Sequence, residues 1–147
     1  MFDPTKEVPS LELCKRLKEL GFPQDSGGWY WDWGNKKLVY VQQTEVGYLI
    51  YELEEINYYR LTEDDDLFIN YIKAPTCREL GELLPVEIKG QYHIYFSRGW
   101  NTKGIVYWYE DADEHTLGDF YAWADTEPNA RAKMLIWLVE NGYVTFQ

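Results

Sequence analysis

Apolar residues recur along this chain with two different periods, and the most continuous helical run is TEPNARAKMLIWLVENG at residues 126–142. At 100° per residue, Ala130, Met134, Leu138, Trp137, Leu135, Val139, Ala132 and Ile136 spread around most of the circumference. Only Asn129, Lys133 and Glu140 form a narrow polar strip. A helix that is apolar nearly all round must be covered on several sides, so this one is expected to sit at the centre of the fold. Asp125 or Thr126 is expected to cap its first amides through a side-chain oxygen. Pro128 is tolerated in the first turn and Gly142 supplies a left-handed stop. Arg131 is the misfit, because it falls between Leu135 and Leu138. Either its stem snorkels to solvent or its guanidinium meets a carboxylate under cover.

The other helical patterns are shorter and one-sided. Ser10 precedes LELCKRLKELG, in which Leu13, Cys14, Leu17 and Leu20 share a face and Gly21 ends the run. APTCRELGELLP carries a capping box in Thr76 and Glu79 and an apolar face of Cys77, Leu80, Leu83 and Leu84, with Gly81 at its border leaving room for a close backbone approach. Period-two patterns predict strands elsewhere. WYWDW alternates Trp29, Trp31 and Trp33 against Tyr30 and Asp32. Residues 36–42 and 46–53 read as an antiparallel hairpin with both faces apolar. Further strands are expected at 86–89, 91–97, 105–110, 120–124 and 143–146, with GWNTKG turning a second hairpin. Residues 1–9 read as an extended arm or short strand. Residues 62–73 are ambiguous: Thr62 and the carboxylates after it suit a helix start, whereas 67–72 is rich in strand formers and favours a strand. The pattern as a whole predicts one α+β domain over residues 1–147, a mainly antiparallel sheet packed with three helices, the C-terminal helix central.

Composition narrows the partners. The net charge is -11, with 25 Asp and Glu against 14 Lys and Arg, and the isoelectric point is near 4.6. Binding to phosphates rests on Lys and Arg that displace counterions, so no exposed nucleic-acid surface is expected. The two cysteines, Cys14 and Cys77, provide neither a disulfide framework nor metal-ligand spacing. With no apolar run of membrane-spanning length and no leader pattern at the start of the chain, a cytoplasmic protein without a membrane partner is expected.

Three segments carry a resemblance. LCKRLKELGFPQDSGGWYW, APTCRELGELLP and ADTEPNARAKMLIWLVENGYV, in this order and at these separations, resemble a group of small uncharacterised proteins encoded in bacterial prophages and related mobile elements. The ARAKML core and the EL-G-E-LP segment carry most of it. The resemblance implies a small accessory protein in a bacterial host, with no activity known for the group and no catalytic residues to carry over.

Candidate chemistry is sparse. Glu110, Asp111, Asp113, Glu114 and His115 form the densest set of oxygen and imidazole donors, but they match no established metal loop and read as a solvated acidic loop. Asp64, Asp65 and Asp66 read the same way. His93 and His115 have no serine or cysteine in a recognised nucleophile pattern, and Gly27 and Gly28 precede aromatics rather than a phosphate-binding helix. No catalytic residue, metal or cofactor is assigned. Aromatic residues make up 18% of the chain, with 7 Trp and 13 Tyr. A row of Trp29, Trp31 and Trp33 on one strand face is therefore the candidate ligand-binding feature, to be weighed against plain core packing. The function expected is that of a phage or mobile-element accessory protein, non-enzymatic, acting by contact with a bacterial host or phage protein. An acidic mimic of nucleic acid is one form of it. The alternative is a small-ligand or glycan-binding module using the tryptophan face.

Overall fold

In a computed structural model of the chain, residues 3–45, 47–52, 58–62, 70–98 and 104–146 are described, 58–62 by their backbone. The chain divides into two compact units, Met1–Pro75 and Thr76–Gln147. Each contains an antiparallel sheet, and the described residues form three α-helices, so the α+β class read from the periodicities is the class observed.

The first unit opens with a 3-10 turn at Pro4–Lys6 rather than the expected extended arm or strand. Pro4 has its φ fixed by its ring, and Asp3 accepts the amide of Thr5 at 3.1 Å, which closes the turn locally. Helix α1 (Leu11–Glu19) starts where Ser10 Oγ accepts the amide of Leu13 at 3.3 Å. It stops at Gly21, φ 99°, whose amide and that of Phe22 return to the carbonyls of Lys18 and Leu17. Strands β1 (Gly28–Asp32), β2 (Lys37–Thr44), β3 (Gly47–Glu52), β4 (Tyr58–Thr62) and β5 (Tyr71–Lys73) form one sheet in the order β4-β3-β2-β1-β5. The β2–β3 pair is the hairpin expected from the sequence. Of the expected 67–72 strand, residues 67–69 lie outside the described residues, Asn70 is not in a strand, and Tyr71 and Ile72 belong to β5. The triple Asp64–Asp66 also lies outside the described residues.

Both faces of this sheet are apolar, as the strands' composition predicts. Trp31 pairs with Leu38 and Ile72 on one face, which closes over Val8, Cys14 and Ala74. Tyr30, Val39, Val41, Ile50 and Tyr71 form a separate buried cluster on the other. Lys73 is among the fully buried side chains, 1% exposed. Its ammonium donates to the carbonyl of Gly27 and lies 5.4 Å from the ring centroid of Tyr30. Gly28, φ 94°, is needed there, since a Cβ would sit 3.0 Å from the lysine nitrogen.

The second unit contains helix α2 (Cys77–Leu83), strands β6 (Glu87–Ile88), β7 (Tyr92–Arg98), β8 (Ile105–Glu110) and β9 (Ala122–Ala124), and helix α3 (Glu127–Glu140). The sheet order is β6-β7-β8-β9. Arg98 pairs with Ile105, so the second hairpin forms as expected, although its turn at 99–103 lies outside the described residues. The expected capping box at Thr76 and Glu79 is present on α2. Helix α3 packs against α2, β8 and β9, with Ala130, Ala132, Met134, Leu135, Ile136 and Leu138 buried. Burying a leucine fully contributes roughly 1.5–3 kcal/mol, so this helix supplies much of the unit's apolar stabilisation.

Two local expectations fail here. Thr126 is the N-cap of α3, yet its hydroxyl accepts no amide and is buried without a partner among the described residues. Asp125 instead takes the side-chain amide of Asn129 at 3.4 Å. Residues 143–146 form no strand. The Tyr143 amide is used by the helix stop, donating to Leu138 O at 2.8 Å, while the Gly142 amide donates to Val139 O. The Tyr143 ring then stacks on Trp137, which also stacks on Phe120. Packing the ring onto the helix removes both the donor and the direction a strand needs.

Arg131 resolves its misfit by meeting a carboxylate under partial cover. Its Nε donates to Tyr107 Oη at 3.0 Å, Nη1 to the Cys77 carbonyl at 2.5 Å and Nη2 to Glu127 Oε1 at 3.3 Å. Gly81 is small because of it, since a Cβ at that position would overlap Arg131 Nη1. The close approach expected at Gly81 is thus made by a guanidinium rather than by backbone.

Candidate functional site

The tryptophans singled out in the sequence differ in setting. Trp29 and Trp31 share a face of β1, whereas Trp33 lies beyond the strand's last residue. Trp29 and Trp31 are half-buried against the Val8–Cys14 cluster, and the Trp31 indole donates to the Pro9 carbonyl at 3.0 Å. Trp33 is 44% exposed and borders a groove of about 500 Å3 with Lys15, Lys18, Glu19 and Ile72, its ring 5.8 Å from the Lys15 ammonium. Cys14 beside this cluster is fully buried, and burial pushes its thiol well above the ordinary range, as suits a small hydrophobe.

A different aromatic row stands on the second unit's sheet. The register pairs Tyr95 with Trp108, and their rings stack at 5.8 Å with 19° between planes. Trp108 in turn lies 5.9 Å from Tyr121. Tyr95 is 44% and Tyr121 42% exposed. The polar tips of two of these rings are tied down: the Trp108 indole donates to Glu110 at 3.2 Å, and the Tyr121 hydroxyl bonds the Thr116 hydroxyl at 2.8 Å. Tyr95 and Trp108 stand near-parallel on neighbouring strands, and Tyr121, just before β9, is tilted 42° to Trp108, so the rings form a short ladder whose outer faces lie at its ends.

At the Tyr95 end the sheet opens into a cleft of about 450 Å3, lined by Gly90, Gln91, His93, Tyr95 and the loop residues Asp111, Ala112 and Asp113. Strand β6 pairs only with Tyr92 and His93, so no residue of it stands opposite Tyr95. His93 shares a face with Tyr95, as alternation predicts, and its Nδ1 lies 3.8 Å from a Glu87 oxygen. His115, largely exposed, lies 3.5 Å from Asp111. Asp111 is the organiser of the loop: its Oδ1 accepts the amides of Asp113 at 2.9 Å and His115 at 2.8 Å. The bond from His115, with that from Asp113, holds the Asp111 carboxyl below its ordinary value against the opposing effect of burial. The acidic loop expected at 110–115 is thus a hydrogen-bonded structure with Asp111 committed inward and Asp113 exposed. No group of metal ligands occurs among the described residues.

The carboxylate of Asp113 takes no hydrogen bond from a described residue, nor does the hydroxyl of Tyr95. Among the described lining residues the cleft has no Lys or Arg. Sequence reading missed this site because the aromatic content of 91–97 and 105–110 looked like ordinary strand composition. The signal present was a shared parity, with Tyr95 and Trp108 both in step with polar His93 and Glu110.

Comparison with known protein families, curated proteins and solved structures gives no match to this chain.

Proposed function

We propose that this protein is a non-enzymatic binding module acting by protein–protein contact, and that the contact is made by the ladder face of the second unit's sheet. The observation that carries this is the Tyr95–Trp108–Tyr121 ladder, its two tyrosines exposed and its tryptophan half-buried, with Glu87, Glu110 and Asp113 around it. Aromatic residues are enriched in the energetic centres of protein interfaces. Rings already held by Glu110 and Thr116 lose little further freedom when a partner covers them. The biological setting we propose is that of a phage or mobile-element accessory protein meeting a bacterial host or phage protein, supported by the three helical segments that carry the resemblance. The test is capture from a bacterial lysate with the unaltered chain, Trp108→Ala and Tyr121→Ala in parallel, each variant checked for its fold by circular dichroism. A partner retained by the unaltered chain and lost by folded variants is expected. A partner retained equally by all three would overturn the assignment of the face.

A second reading, a small-ligand or glycan-binding module, is favoured by one observation, the exposed Trp33 ring beside its 500 Å3 groove. Titration with soluble oligosaccharides, followed by tryptophan emission in the unaltered chain and Trp33→Phe, separates it from the contact reading. Saturable change lost in the variant would support it, and no change would remove it.

A further inference from the structure

We infer that the cleft at the Tyr95 end of the ladder receives an arginine side chain of a basic protein partner. This deepens the contact reading and rests on it. Three features of the cleft select the occupant. The first is the Tyr95 ring, the last of the ladder, which has one side stacked on Trp108 and lines the cleft. A ring face attracts a cation, and a guanidinium, being planar, stacks on it where an ammonium cannot. The second is Asp113, a carboxylate in the same cleft without a partner among the described residues, able to take both parallel N–H groups of a guanidinium. Its neighbour Asp111 is already engaged by two loop amides, so the loop is held in place before anything binds.

The third feature is charge. The cleft is lined by two carboxylates and no Lys or Arg among its described residues, and Glu87 stands beside His93 at its edge. Lys89, in the adjoining turn, is directed elsewhere, its ammonium 5.2 Å from the Tyr143 ring. An anionic occupant would meet the uncompensated Asp113 carboxylate, while a cation completes it. The cleft volume of about 450 Å3 lies within the range that encloses a small organic group. A chain of net charge -11 also draws basic partners from a distance, which raises the encounter rate without selecting the residue that docks.

The test uses the whole chain, labelled with nitrogen-15, and the probe Nα-acetyl-arginine amide against its lysine counterpart. About 0.15 M salt is used, where the Debye length is about 8 Å and diffuse attraction is suppressed. Saturable shifts of the Gly90, Gln91 and Asp113 amides are expected, with tighter binding of the arginine probe. Asp113→Asn should weaken that binding roughly tenfold through loss of the charge-assisted bonds, whereas Glu140→Gln on the exposed side of α3 should not change it. Shifts that do not saturate, equal binding of both probes, or an unaltered affinity in Asp113→Asn would overturn the inference. Its failure is distinguishable from failure of the contact reading. A partner captured through Trp108 but indifferent to Asp113→Asn sinks this inference alone, and arginine binding in the cleft with ladder-independent capture sinks only the ladder contact.

Discussion

Replacing a glycine inside a helix with alanine ordinarily stabilises it by about 1 kcal/mol, and at Gly81 the structure predicts the opposite sign. Gly81 lies within α2, outside the left-handed region, so the backbone itself would accept alanine. The obstacle is Arg131 Nη1, which occupies the space a Cβ would take. That nitrogen can leave only by giving up the Cys77 carbonyl, and the bonds from Nε to Tyr107 and from Nη2 to Glu127 resist the swing. A hydrogen bond to a charged group contributes about 1.5–3 kcal/mol. Against the helix gain, Gly81→Ala should therefore destabilise by roughly 0.5–2 kcal/mol. In an Arg131→Met background the guanidinium is gone and the stem is partly kept. There the same change should stabilise by about 1 kcal/mol. Urea denaturation of the four proteins closes a double-mutant cycle whose coupling should be of the order of 1.5–3 kcal/mol. Stabilisation by Gly81→Ala in the unaltered chain, or the same effect in both backgrounds, would refute the idea that Arg131 ties α3 to α2.

Leu135→Ala and Leu138→Ala, both at fully buried positions, should each cost roughly 2–5 kcal/mol, while Lys133→Ala loses only an exposed bond to the Trp123 carbonyl; comparable losses in urea for all three would dismiss α3 as the unit's centre. Gly118→Ala should destabilise markedly, because its φ is 60° and a Cβ would meet Trp137 at 2.5 Å; a melting temperature equal to the parent's would contradict the packing. Burial acts to raise the Glu127 carboxyl, but the Tyr107 hydroxyl with Arg131 and Arg98 outweighs it and leaves it lowered, as Asp111 is by its loop amides. Lowered folded values mean stability that is fully present above the ordinary carboxylate range and lost as pH falls through them. Unfolding free energy should drop below about pH 4, and an acid limb as steep in Glu127→Gln as in the parent would count against this. Among single Trp→Phe variants at 29, 31 and 33, Trp33→Phe should remove the most acrylamide-quenchable emission; a larger loss from Trp31→Phe would contradict its packing under Pro9.

Much of this fold was legible because its signals are local. A run such as 126–142 is apolar on nearly every side, and only burial satisfies it, whatever it packs against. Ser10, the Thr76–Glu79 box, Gly21 and Gly142 end their helices through bonds reaching no further than the next turn, so the sequence alone determines them. The α+β class and the β2–β3 hairpin follow from period and turn spacing in the same way. What the tertiary structure decided depends on packing that period and turn spacing do not encode. The Thr126 hydroxyl is left without an amide although its residue type is a good cap, and Tyr143 goes to Trp137 rather than to a strand. Gly81 is small for a side chain 50 positions away, which no local pattern encodes. The aromatic row follows the same rule. Alternation within one segment placed Trp29 and Trp31 together, but a ladder is made by register between strands. Only the pairing of Tyr95 with Trp108, and the approach of Tyr121 beyond it, brings three rings and an acidic cleft onto one face.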